Sequence, residues 1–134
     1  MQITGECFCG AVAYRVDRPL SSARSCHCSR CRRAFSAAAS AYALVEPGSL
    51  TWVRGEELLT SFVGEHGAGK RFCSRCGSTL CGVFDGRVHG VTLGCVDGDP
   101  GVEIELHLFV GSKAAWDVIP EGAEQHDGFP PGWG

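Results

Sequence analysis

Seven of the nine cysteines in this chain fall into tight groups: Cys7-x-Cys9, Cys26-x-Cys28-x-x-Cys31 and Cys73-x-x-Cys76. A Cys-x-x-Cys turn lets two sulfurs converge on one ion while backbone N–H groups face them. Cysteines two apart on a strand project to the same side. Structural zinc takes four thiolate or imidazole ligands in a tetrahedron, so Cys7, Cys9, Cys73 and Cys76 make one complete set. Cys26, Cys28 and Cys31 supply three thiolates and leave one position over. Three protein ligands with an exchangeable fourth is the pattern of a catalytic zinc. The alternative is a second structural ion completed by Cys81, Cys95 or His27. Ferredoxin-type clusters fit less well, because they use other spacings and four cysteines each. The expectation is two zinc ions per chain.

His27 lies between two ligands, so it should point away from the ion they share; it reads as a surface residue of the knuckle. His66 and His126, in polar, Gly-rich surroundings, read as solvated, and His89 and His107, in strand-like segments, as structural histidines. Cys81 and Cys95 read as buried small hydrophobes. Basic residues gather near the sulfurs: Arg30, Arg32 and Arg33 beside the central group, and Lys70, Arg71 and Arg75 beside the last. They either offset thiolate charge or recognise a carboxylate. A small anionic thiol would meet both features, its sulfur filling the fourth zinc position and its carboxylates meeting Arg32 and Arg33.

The elements that must hold these groups are short. With 134 residues, nineteen glycines and six prolines, the chain suits one domain, residues 1–134, of strands and tight turns. Val12, Tyr14 and Val16 alternate within a strand over 10–16. Residues 37–45 suit strand or helix, and 50–53 and 58–63 read as strands, the latter followed by a Gly-rich turn over 64–69. Segments 78–84 and 88–93, separated by Asp85-Gly86, predict a hairpin. Ile104, Leu106, Leu108 and Val110 make 103–110 the clearest strand, and 113–119 suits one helical turn. An irregular tail follows from about 120 to 134. The class is mainly β, with the knuckles at strand ends. A net charge of −3 and a pI near 5.9 argue against nucleic acid and anionic membrane as partners. No secretory signal or long apolar run is legible, which predicts a cytoplasmic protein whose clustered thiols are metal-bound rather than oxidised.

These residues resemble the glutathione-dependent formaldehyde-activating enzyme family, which also includes centromere protein V. The likeness runs through Gly5-Glu-Cys7-Phe-Cys9-Gly10, Cys26-His-Cys28-Ser-Arg-Cys31-Arg32-Arg33, Phe72-Cys73-Ser-Arg-Cys76-Gly77-Ser78, Leu93-Gly94, Asp97 and His107-Leu-Phe-Val-Gly-Ser-Lys113-Ala-Ala-Trp116-Asp117. The resemblance implies an antiparallel β-tent fold, a structural zinc on Cys7, Cys9, Cys73 and Cys76, and a second zinc on Cys26, Cys28 and Cys31. It also implies a carbon–sulfur lyase that joins glutathione to formaldehyde. The chain departs from the family pattern in carrying Ser36 where many relatives have glycine, and Cys95-Val96 before Asp97. The competing expectation is a non-catalytic module, braced by zinc, that binds a thiol or docks on a protein. No residue is singled out as general base; Glu6, Asp97, His107 and Asp117 are candidates only.

Overall fold

A computed structural model describes residues 2–132. It holds eleven strands in two sheets and one short helix. The smaller sheet has the order β1 (Ile3–Glu6), β2 (Ala13–Val16), β5 (Leu50–Arg54). The larger runs β11 (Glu124–Gln125), β10 (Leu106–Leu108), β3 (Ser21–Cys26), β4 (Tyr42–Leu44), β9 (Arg87–Thr92), β8 (Thr79–Phe84), β7 (Ala68–Cys73), β6 (Leu59–Val63). Helix α1 (Ser29–Phe35) follows β3 directly.

The alternation of Val12, Tyr14 and Val16 marks the core face as expected: all three are buried. They pack in one cluster with Ile3 of β1, Ala23 of β3, Ala43 of β4, Leu80 of β8 and Val91 of β9, so both sheets contribute to one core. Trp52 of β5 meets Tyr14 edge-on, with ring centroids 5.9 Å apart, a favourable aromatic geometry. Asp85 and Gly86, both with positive φ, join β8 to β9. That is the backbone a two-residue hairpin turn requires.

Several expectations are corrected. The strand predicted over 10–16 starts only at Ala13, because the chain first completes a turn about Cys7. In 37–45 only Tyr42–Leu44 is extended. The Gly-rich turn ends early, since Ala68 and Gly69 already belong to β7 and pair with β8. The strand over 103–110 shrinks to Leu106–Leu108, and it pairs in parallel with both β3 and β11. Leu106, His107 and Leu108 are all buried: Leu106 and Leu108 pack with Cys26, Cys28, Cys31 and Phe109, and His107 meets the His27 ring. These parallel pairs also depart from a purely antiparallel arrangement. No helical turn forms over 113–119; a 3₁₀ turn at Val110–Ser112 precedes it. The predicted tail contains β11, and Phe129 packs edge-on against Phe109; Trp133 and Gly134 lie outside the described residues.

The departure at Ser36 has a backbone consequence. Ser36 ends α1 in the left-handed region, φ 53°, with its N–H directed at the carbonyls of Arg32 and Arg33. Glycine enters that region without the steric cost a Cβ imposes. Ser36→Gly is expected to raise the unfolding free energy by about 1 kcal/mol. Urea unfolding checks this, and an unchanged or lower midpoint would contradict it.

Candidate metal centre

The first cluster is assembled from two turns at strand ends. After β1, Cys7 donates its N–H to Val12 O at 3.0 Å and accepts at its carbonyl from Gly10 N at 3.0 Å. Gly10 has φ 77°, a conformation that favours glycine. Val12 N points at Cys7 Sγ from 3.3 Å. After β7 the same design recurs: Gly77 N donates to Cys73 O at 2.8 Å, and Arg75 N points at Cys73 Sγ from 3.4 Å. Ser78 joins the turns, its hydroxyl accepting from Phe8 N at 2.9 Å and lying 3.4 Å from Cys76 Sγ.

The sulfurs of Cys7, Cys9, Cys73 and Cys76 all lie within 4.8 Å of one another and can hold a metal ion. Cys7 and Cys9 are 3.7 Å apart, and Cys9 and Cys73 are 3.9 Å apart, sulfur to sulfur. A tetrahedron of Zn–S bonds of about 2.3 Å places its sulfurs about 3.8 Å from each other, so the spacing suits zinc. Four thiolates this close repel one another, and a divalent cation among them relieves that repulsion. At Cys76, burial opposes ionisation, but hydrogen bonds from the Ser78 hydroxyl and amide prevail and bring the thiol down to about 5.

The second cluster comes from one continuous segment. Cys26 ends β3, Cys28 is the N-cap of α1 with its sulfur 3.4 Å from Cys31 N, and Cys31 lies in the first turn. Their sulfurs also lie within 4.8 Å of one another. No fourth His, Cys, Asp or Glu completes the group among the described residues, so Cys81, Cys95 and His27 do not close it. A hydrogen bond from Cys26, against the opposing effect of burial, brings the Cys31 thiol down to about 6. Cys26 moves the other way, pushed up by its bond to Cys31 and by burial.

Ser40, which the sequence reading missed, supports this segment. It is fully buried; its hydroxyl accepts from Cys26 N at 2.9 Å and its N–H donates to Cys26 O at 3.0 Å. A serine in an alanine-rich run gives no signal of such a role. His27 is buried rather than on the surface, and its Nε2 lies 3.0 Å from Nδ1 of His107. Burial holds both imidazoles below the usual histidine range. His107 is thus a buried, bonded histidine as expected, whereas His89 is exposed.

The basic residues divide differently from their sequence positions. Lys70 donates to Ala34 O at 3.0 Å and so ties β7 to α1. Arg71 reaches Gly86 O at 3.3 Å, away from the first cluster. Arg32 is half-buried, with its Nε 3.3 Å from His27 O. Arg30 and Arg33 are exposed on α1.

The sequence profile of the glutathione-dependent formaldehyde-activating enzyme family matches residues 2–112. A Halomonas elongata protein named for glutathione-dependent formaldehyde activation is 35% identical over 136 aligned residues, covering 93% of this chain and 85% of that protein. A crystal structure of a Rhodobacter sphaeroides protein is similar with a TM-score of 0.57 and 33% identity, covering 72% of this chain and 89% of the other.

Cys81, outside both clusters, gives a pH test of the packing around β8. It is fully buried on β8, and burial pushes its thiol up to about 11 against the opposing charge of Arg71. Between its ordinary value of 9.0 and that raised value, the unfolded chain releases the proton while the folded chain keeps it. The folded state then binds more protons, so its stability is full below pH 9 and falls as pH rises. The loss is about 2–3 kcal/mol. Urea midpoints from pH 8 to 11 should fall less steeply in Cys81→Ala than in the unsubstituted chain; equal slopes would contradict the assignment.

Proposed function

Because the chain belongs to the glutathione-dependent formaldehyde-activating enzyme family, we propose that it is a zinc-dependent carbon–sulfur lyase-like enzyme. Its reaction joins glutathione, or a similar small thiol, to an aldehyde such as formaldehyde. The observation that carries this reading is the inequality of the two clusters: four sulfurs in one, three in the other with no fourth protein donor among the described residues. On this reading Cys7, Cys9, Cys73 and Cys76 hold a structural zinc, and Cys26, Cys28 and Cys31 hold the reactive one. Zinc in the three-cysteine site supplies a Lewis acid that stabilises a substrate thiolate or polarises the aldehyde carbonyl.

The addition forms one S–C bond, breaks the C=O π bond and delivers the thiol proton to the former carbonyl oxygen, so no oxidant or reductant is required. The chain's own contribution is position. Cys28 at the N-cap and Cys31 one turn on are held by α1, while Cys26 is held by β3 and Ser40. Bringing two small reactants together in a fixed geometry removes much of the entropic barrier of a bimolecular step. On this reading Arg33, exposed on α1, meets a carboxylate of the thiol, and Arg32 contributes charge while its Nε holds the His27 carbonyl.

Metal content per chain, combined with thiol titration, tests this reading. Two zinc ions are expected in the unsubstituted protein and one in Cys28→Ser, with glutathione slowing loss of the second ion and the protein accelerating S-hydroxymethylglutathione formation. One tightly held zinc in both proteins, indifferent to glutathione, would leave only a braced scaffold.

A further inference from the structure

The segment from His107 to Asp117 takes no part in the thiol chemistry above, yet it closes on the residue between two of the cysteines. β10 lies parallel to β3 with Leu108 opposite Cys26, and His27 N donates to Leu108 O at 2.9 Å. Successive residues of an extended segment face opposite ways. Cys26 and Cys28 therefore turn to one side and His27 to the other, where its Nε2 lies 3.0 Å from His107 Nδ1. Both histidines are more than nine-tenths buried, at 3% and 8% exposure. The remaining nitrogen of His27, Nδ1, is buried without a hydrogen-bond partner and faces Asp117 Oδ2 at 3.9 Å. Lys113 Nζ donates to Asp117 O at 3.1 Å and steadies the turn that presents this carboxylate.

We propose that the buried pair His27 and His107, with the half-buried Asp117, forms a brace behind the Cys26–Cys28 segment, which fixes the geometry and hence the metal affinity of the three-cysteine site. They are positioning residues. Space-filling alone would favour an apolar pair here, since polar rings taken out of water cost free energy unless they are paired. What the imidazoles add is direction. One neutral ring must donate and the other accept; the Asp117 carboxylate favours hydrogen on His27 Nδ1, leaving His27 Nε2 to accept from His107 Nδ1–H. A buried ring hydrogen-bonded at Nε2 and facing a carboxylate at Nδ1 has one favoured orientation, and the backbone of the residue between two ligands is fixed with it. Groups that orient metal ligands from outside the coordination shell typically change affinity 10–100-fold when removed.

The inference rests on zinc occupying the three-cysteine site. Its test measures the affinity for the second zinc by chelator competition, with the absorption bands of the cobalt-substituted protein, in wild type, His107→Leu, His107→Asn and Asp117→Asn. Asparagine places an amide group near the position of Nδ1 and can renew the contact; leucine cannot. Expected are a loss of about 10–100-fold in His107→Leu, recovery of most of it in His107→Asn, a smaller loss in Asp117→Asn, and unchanged affinity at the four-cysteine site. Wild-type affinity in His107→Leu would overturn the brace, even with a lower Tm, as would a loss that asparagine does not recover. Should His107→Leu not fold, Asp117→Asn decides, and unchanged second-site affinity there overturns the proposal. A wild-type protein holding a single zinc would remove the second site itself, a different failure that belongs to the zinc reading.

Discussion

The crowding of four sulfurs at the ends of β1 and β7 is the constraint on which the rest of the structure depends. Cys9 and Cys73 stand 64 residues apart in sequence and 3.9 Å apart at their sulfurs. To bring them there, the smaller sheet must lie against one end of the larger, and the core between the sheets is the apolar consequence of that placement. Thiolates at such distances cannot share a site without compensating positive charge. The turns answer in part with N–H groups aimed at sulfur, from Val12 onto Cys7 and from Arg75 onto Cys73. The cluster is thus an electrostatic problem posed by the fold, and a cation is its natural solution.

The second cluster poses the problem on a smaller scale. Cys26, Leu106 and Leu108 form a separate apolar nucleus, against which Cys28, Cys31 and Phe109 pack. The three sulfurs therefore have an apolar floor, while the exposed arginines of α1 lie beside them. Lys70 connects this region to β7, the strand that carries Cys73, by its bond to Ala34 O. A cation placed by sequence beside the first cluster is used by the fold to secure the helix of the second.

Cysteine spacing made both clusters legible because ligand geometry is local: two residues on a strand, or three in a turn, determine where sulfurs can meet. The core face of β2 and the hairpin at Asp85-Gly86 were legible for the same reason. What remained hidden depends on partners distant in sequence. The alternation over 103–110 marks a strand, but its length is set by pairing partners distant in sequence, which reach only Leu106–Leu108. His27 was assigned to the surface because nothing near it in sequence signals His107, eighty residues away. Ser40 and β7 were missed for want of any local signature. Ser36 shows the converse, since an unusual residue at a helix end became intelligible once its positive φ was known.

The two sets of cysteines also differ in how much chain their ligands enclose. One set spans a loop of more than sixty residues, whereas the other lies within a single turn and its approach. Closing a loop costs about 0.6 kcal/mol more with each doubling of its length, so opening the long one releases about 2 kcal/mol more chain entropy than opening the short one. Release of an ion from the first set would free a loop of more than sixty residues; release from the second would disturb only a helix entrance. The same ligand chemistry would therefore fasten distant parts of the chain in one place and only a single local turn in the other.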